Sequence, residues 1–163
     1  MANNWNIRTI LPGDNEVLAA IVRQTLKEFN AAKPGTVYYD DRTDRLFEEF
    51  AIAGSIYFVL EIDGQVCGGG GIYPTEALPP GTAELVKLYL LPAARGMGLG
   101  KKILEKCLDA AKEIGYHAVY LESMPELTIA LPLYEKAGFR YIDGPMGNSG
   151  HTGCDVWMIK DLV

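Results

Sequence analysis

The chain has 163 residues, 48% hydrophobic and 22% charged, with 15 Lys+Arg against 21 Asp+Glu and a net charge of −6. That length and apolar content suit a single domain, residues 1–163, with a real core, and they exclude intrinsic disorder. An acidic balance without a Lys/Arg cluster speaks against a nucleic-acid or anionic-membrane surface, and charges interrupt every apolar run well short of the roughly 20 residues a membrane-spanning helix needs.

The opening Met-Ala-Asn-Asn-Trp-Asn lacks the basic-then-apolar layout of a signal peptide. Three widely spaced cysteines, Cys67, Cys107 and Cys154, suggest no disulfide framework. The expectation is a reduced, cytoplasmic domain.

In chain order, residues 6–11 read as a short strand closed by Pro12 and Gly13. Asp14 can cap a helix over 15–30, in which Leu18, Ile21, Val22 and Phe29 share a face. Pro34 and Gly35 end it and open a polar, aromatic loop containing Tyr38, Tyr39, Asp40 and Asp41. A second helix is expected over 44–53, with Leu46, Phe47 and Phe50 inward. Residues 55–61 and 65–73 form a hairpin about Asp63 and Gly64, the second strand carrying four consecutive glycines, 68–71, as a bulge or close approach requires. An apolar strand over 83–91 follows, broken only by Glu84 and Lys87. Parity places Glu84, Val86 and Leu88 on one face unless a bulge intervenes.

Helix 98–114 presents Leu99, Ile103, Leu104, Cys107, Leu108, Ala111 and Ile114 as one stripe, and Gly115 stops it. Next come a buried strand over 118–121 and a helical stretch over 126–136. Pro132 should break that stretch at a cost of ~3 kcal/mol and begin a second short turn. Strands over 139–142 and 155–159, separated by a Gly-rich loop, complete the chain. The order β-α-α-β-β-β-α-β-α-β-β implies an α/β fold with a mixed sheet covered by helices on both faces.

The stretch Arg95-Gly96-Met97-Gly98-Leu99-Gly100-Lys101 joins a buried strand to a helix N-terminus. Glycines let backbone approach a ligand closely, and the first helical amides have no internal partner and carry the positive end of the dipole. Together they make an anion cradle suited to a pyrophosphate. A Walker loop would need Gly at 95 and Ser or Thr at 102, where the chain has Arg and Lys; a dinucleotide fingerprint would need a different final glycine spacing.

What fits is Arg-x-x-Gly-x-Gly over 95–100. With a second block, Leu133-Tyr134-Glu135-Lys136-Ala137-Gly138-Phe139, the sequence resembles the GNAT family of acetyl-coenzyme A-dependent N-acetyltransferases. The resemblance implies a central, mostly antiparallel mixed sheet, with acetyl-CoA as co-substrate. Arg95, Gly96, Met97, Gly98, Leu99, Gly100 and Lys101 would hold the pyrophosphate, and the backbone of Leu88, Tyr89 and Leu90 would pair with the pantetheine arm. Tyr134 matches the family tyrosine that can protonate the departing thiolate. Many members carry Asn seven residues before that tyrosine; this chain has Leu127, which removes that pantetheine contact.

Transfer to an amine needs a neutral nucleophile, a polarised thioester carbonyl and an acid for the thiolate. A backbone amide of the central strand would serve as oxyanion donor and Tyr134 as acid. For the base, Glu84 is the first choice and Glu122 the second. The loop carrying Tyr38 and Tyr39 and the loop of Asn148, Ser149, Gly150 and His151 should form the acceptor pocket. His117 and His151 show no zinc-like spacing, so no metal is expected, and no cysteine is assigned a catalytic role. The expected partner is a small-molecule primary amine, with no nucleic acid and no membrane. A protein or peptide amine is the alternative acceptor, a CoA-binding sensor without turnover the alternative class. A homodimer through the C-terminal strands is a further expectation from the family, with edge pairing as its physical basis.

Overall fold

A computed structural model describes residues 4–162. Its elements follow the expected order: β1 Trp5–Thr9, α1 Asn15–Glu28, α2 Leu46–Glu49, β2 Ile56–Ile62, β3 Gln65–Tyr73, β4 Thr82–Leu90, α3 Leu99–Ile114, β5 Ala118–Ser123, α4 Ala130–Lys136, β6 Arg140–Ile142 and β7 Val156–Asp161. Among the described residues seven strands form one sheet in the order β1-β2-β3-β4-β5-β7-β6, antiparallel throughout except where β4 lies parallel to β5. The hairpin between β2 and β3 turns on Asp63 and Gly64, both at positive φ, as a tight turn that matches strand twist requires.

Helices cover both faces. Phe58, Leu60, Ile72, Ala83, Leu85 and Leu88 pack against α3 and Tyr134 of α4. The opposite face carries Tyr57 and Val59 beneath Leu18, Leu46 and Phe50, continued by Val22, Leu26, Met124 and Leu127. The buried stripe of α3 includes Ala110, while Ile114, expected inside, is 44% exposed at the helix end.

Four local expectations are corrected. Asp14 stands at the N-cap of α1, but its side chain makes no cap hydrogen bond there; its carboxylate accepts from Leu11 N at 2.7 Å and from both Arg8 terminal nitrogens. The second helix shrinks to the single turn α2, because 3-10 turns over Asp41–Arg45 take up the chain before it. Pro132 does not kink a helix, since α4 starts at Ala130 and the proline lies in its first turn, where a missing N–H removes no internal bond. Leu88 does not share a face with Glu84 and Val86. The β3–β4 register shifts between Gly69 and Gly71, and Lys87, at φ 53°, is the extra residue of a bulge that turns Leu88 toward α3.

The glycine run is explained by the same place. A Cβ on Gly69 would lie 2.6 Å from Cε1 of Tyr57, and one on Gly71 2.7 Å from its Cδ2. Glycine thus lets the buried Tyr57 ring lie against β3 and reach the bulge.

Candidate active site

The β4–β5 ladder is short. Thr82, Ala83 and Glu84 face Ala118, Val119 and Tyr120, and pairing then stops although β4 runs on to Leu90 and β5 to Ser123. Beyond Glu84 the two strands diverge, and β4 backbone facing β5 has no strand partner. A cavity of about 270 Å³ fills the opening, closed by the start of α3 and by α4.

Nine of the ten residues expected to hold the coenzyme line this groove: Leu88, Tyr89, Leu90, Arg95, Gly96, Gly98, Leu99, Gly100 and Lys101. Met97 does not line it and is 40% exposed. Gly96 and Gly98 both have positive φ, and Gly98 is the left-handed N-cap of α3. The first helical bond runs from Lys102 N to Gly98 O, so the preceding amides have no intrahelical acceptor and face the groove's mouth. Arg95 is held in place: its guanidinium pairs with Glu28, donates to Leu90 O and lies 5.2 Å from the Phe29 ring centre.

Deeper in the groove, Tyr134 is buried edge-on against Phe139. Its hydroxyl has no hydrogen-bond partner among the described residues, and burial pushes its pKa up, keeping the proton in place at neutral pH. Ser123, 3% exposed, has a hydroxyl with no partner among the described residues, and it too lines the groove. An orphaned buried hydroxyl is costly, so a ligand bearing amide groups fits here better than an empty apolar slot. Where Leu127 has no polar group to offer, Ser123 places a free hydroxyl in the groove wall.

Glu84 is 3% exposed and accepts a 2.5 Å hydrogen bond from Thr75 Oγ1. Burial raises its pKa to about 7, with the Thr75 bond opposing the shift and Glu122 adding to it. Glu84 therefore exchanges its proton in the neutral range. It lines both the groove and a second cavity of about 260 Å³ on the α1–α2 side, and Val86, Lys87 and His151 are also common to the two.

The second cavity is walled by the two loops the sequence singled out. His151 Nε2 lies 2.8 Å from Asp40 Oδ2, Arg42 clasps the same carboxylate and donates to Ser149 O at 3.0 Å, and Gly153 N donates to Gly35 O at 2.7 Å. Burial alone would raise the Asp40 carboxyl; the Arg42 and His151 hydrogen bonds outweigh it and hold the group well below the usual range. Burial pushes His151 down, toward the neutral imidazole, with Asp40 opposing.

Glu122 accepts from Ser149 Oγ of the 143–155 loop and, with its other oxygen, from Tyr120 Oη at 2.6 Å, and the Tyr120 hydroxyl accepts in turn from Met146 N of the loop. It lines the groove as well. Tyr38 and Tyr39 line neither cavity. Tyr38 packs beside α1 and its carbonyl accepts from Arg23, while Tyr39 is 62% exposed. Next to them in the chain, Arg42 lines the second cavity, held there by Asp40.

Sequence reasoning did not assign roles to Lys87, Thr75, Arg42 or Ser123. For Lys87 a signal existed: a lysine inside an otherwise apolar strand. Thr75 and Arg42 reach the site through long loops, which leave no periodic trace.

The comparisons agree with this geometry. The model of the acetyltransferase (GNAT) family matches residues 22–139. The chain is 38% identical over 157 residues to an Escherichia coli (strain K12) protein named uncharacterized N-acetyltransferase YjgM, covering 96% of this chain and 94% of that one. A GNAT-family acetyltransferase of Staphylococcus aureus Mu50 superposes with a TM-score of 0.86 at 20% identity, over 98% of this chain and 100% of that one. YncA of Salmonella typhimurium, a putative acetyltransferase solved with its cofactor acetyl-CoA, superposes with a TM-score of 0.77 at 22% identity, over 98% and 95% of the two chains. Sheet order, splayed strands, glycine cradle and matched sequence together place the chain in the acetyltransferase (GNAT) family, as an acyltransferase acting on nitrogen.

Proposed function

We propose that the enzyme transfers the acetyl group of acetyl-CoA to the primary amine of a small molecule, by direct attack with both substrates bound. The observation that carries this reading is Glu84, a carboxyl titrating near 7 in the wall common to the coenzyme groove and the second cavity. A base near neutrality, reachable from both sides, suits proton removal from an incoming ammonium. Acetyl-CoA, when bound, supplies the thioester. Glu84 takes one proton from the ammonium and passes it to solvent; the neutral nitrogen then forms the new C–N bond as the C–S bond breaks, Glu84 takes the proton that nitrogen sheds, and Tyr134 gives its own to the thiolate and is reprotonated from solvent. A free β4 amide beyond Glu84 would hydrogen-bond the carbonyl oxygen as charge develops there.

Three features support this assignment of substrates. The groove's glycine cradle and helix N-terminus suit a pyrophosphate. The solved Salmonella typhimurium relative of this fold carries acetyl-CoA. The second cavity is small and bridged by Asp40, Arg42 and His151, which favours a small amine over a peptide segment. A homodimer through the three-residue edge strand β6 would be detected by sedimentation at high concentration.

Calorimetry with acetyl-CoA, followed in the same cell by a panel of primary amines and monitored for free thiol, tests the proposal. Binding with thiol release on small amines supports it. Release only with peptides overturns the acceptor class, and binding with no release on either would favour a sensor.

A further inference from the structure

The second cavity is lined by a lysine whose side chain has no ion pair among the described residues. Besides Tyr73, six ionisable side chains line it: Arg42, Glu49, Glu76, Glu84, Lys87 and His151. Glu76 is exposed. Of the other five, Arg42 and His151 share Asp40, Glu84 is bonded to Thr75, and Glu49 accepts from Tyr73 Oη and lies near Arg45. The Lys87 side chain has neither an ion pair nor a hydrogen bond among the described residues.

Its position is enforced rather than incidental. Lys87 is the bulge residue of β4, at φ 53°, and its carbonyl is tied by Tyr57 Oη at 2.8 Å. A lysine pays backbone strain there that glycine or asparagine would not. Its charged neighbours are Asp40, Glu84 and Glu49, with Arg42 opposing, all from the acceptor side. Burial disfavours its ammonium form, which those carboxylates offset only in part. A plain amine entering as an ammonium would add a second positive charge to this wall. An acceptor that brings its own anion would relieve both.

Resting on the small-amine reading above, we infer that Lys87 recognises a carboxylate on the acceptor, so that the substrate is a small amino acid or amino-carboxylic acid held with its amine toward Glu84 and its carboxylate toward Lys87. The two side chains are three residues apart on one strand and border the same cavity. Lys87 is then a specificity-determining residue, and the fixed bulge sets where the carboxylate sits.

The test is thiol release with the standard amino acids, β-alanine and γ-aminobutyrate, each against its own carboxamide, with simple alkylamines alongside. The wild-type enzyme should prefer at least one acid over its carboxamide by about tenfold or more in kcat/KM, mainly through KM, as a charge-assisted hydrogen bond implies. Lys87→Met should bring that ratio to within about threefold of one, and Lys87→Arg should retain most of it. Neither substitution changes the backbone demand at φ 53°; acetyl-CoA affinity and a thermal melt report whether each variant folds. Turnover with acids and carboxamides alike, or an acid preference that survives Lys87→Met in a folded protein, overturns the inference alone. Acetyl-CoA binding with no turnover on any member overturns the small-amine reading and this inference with it.

Discussion

The hydroxyl of Tyr57 donates to the carbonyl of Lys87 at 2.8 Å, across the glycine-paved strand β3. A bulge leaves backbone groups without ladder partners, and one such carbonyl is satisfied here by a side chain from two strands away. Fold and site meet in this contact: the bulge moves Leu88 to the α3 face and keeps Glu84 and Val86 on the other. Tyr57→Phe should lower stability by about 1–2 kcal/mol, because a buried carbonyl loses its partner. Gly71→Ala should cost as much or more, since its Cβ would lie 2.7 Å from both the Tyr57 ring and Ile56 O. Urea denaturation of both variants checks the pair; an unaffected midpoint for Gly71→Ala would contradict the packing account.

Glu84→Gln should lower kcat by about 10²–10⁴ while leaving acetyl-CoA affinity near wild type. In the wild-type enzyme kcat/KM should rise with pH through about 7 as Glu84 loses its proton, and the variant should lack that limb. Stability moves the other way. Between the ordinary 4.5 and about 7 the folded chain binds a proton that the unfolded chain has released, so stability falls as pH rises through this window. Removing the ionisable group should therefore stabilise the protein above pH 7, on the order of 2 kcal/mol, and change little at pH 5. Melting curves at pH 5 and pH 8 read this directly.

Tyr134→Phe separates an enzyme from a sensor. The hydroxyl has no partner among the described residues, so its removal should leave stability within ~0.5 kcal/mol of wild type. Loss of the acid should cut kcat by about 10²–10⁴ with little change in acetyl-CoA affinity. Calorimetry alongside thiol release measures both quantities on one preparation, and unchanged turnover would remove Tyr134 from the acid role.

Much of this was legible in the residues, and the exceptions have physical causes. Element order and the groove residues at 88–90, 95, 96 and 98–101 follow from local pattern: alternation, glycine at positive-φ positions, and an amphipathic α3. Parity alone cannot place Leu88, because a bulge leaves hydrophobicity unchanged while reversing the face of every residue beyond it. Pro132 suggests a kink only if the helix starts well before it; α4 starts at Ala130, a boundary that periodicity does not show. The loops at 38–41 and 148–151 do meet, but through the Asp40 carboxylate, held by Arg42 and His151, and not through the aromatic residues Tyr38 and Tyr39. Contacts between residues more than a hundred positions apart leave no local trace.

That junction makes a prediction of its own. Asp40→Asn weakens the partner of both Arg42 and His151 and should loosen the loops around the second cavity while leaving the glycine cradle of the groove in place. KM for the amine should rise about tenfold or more, with acetyl-CoA affinity held within about twofold, because coupled hydrogen bonds to one carboxylate are lost together. Steady-state kinetics with each substrate varied in turn makes the distinction; a rise confined to the acetyl-CoA KM would place Asp40 elsewhere in the cycle.

The cradle offers a test in which sterics and backbone separate. A Cβ at Gly96 or Gly98 would meet nothing within 4 Å, so neither glycine is needed for space. Their φ values of 81° and 73° lie in the left-handed region, where an L side chain is strained. Gly98→Ala should thus cost about 1 kcal/mol of stability from conformation alone. The same strain acts on the turn that aims the first amides of α3, and relaxing it misdirects them. Acetyl-CoA affinity should fall by more than the stability change alone accounts for, while 3′-dephospho-CoA and CoA lose affinity in equal proportion, since the pyrophosphate is common to both. Gly115→Ala, at the far end of α3 and also left-handed, is the control: a similar loss of stability with coenzyme affinity unchanged. Equal losses of affinity in the two variants would mean that the cradle acts through general stability and not through the direction of its amides.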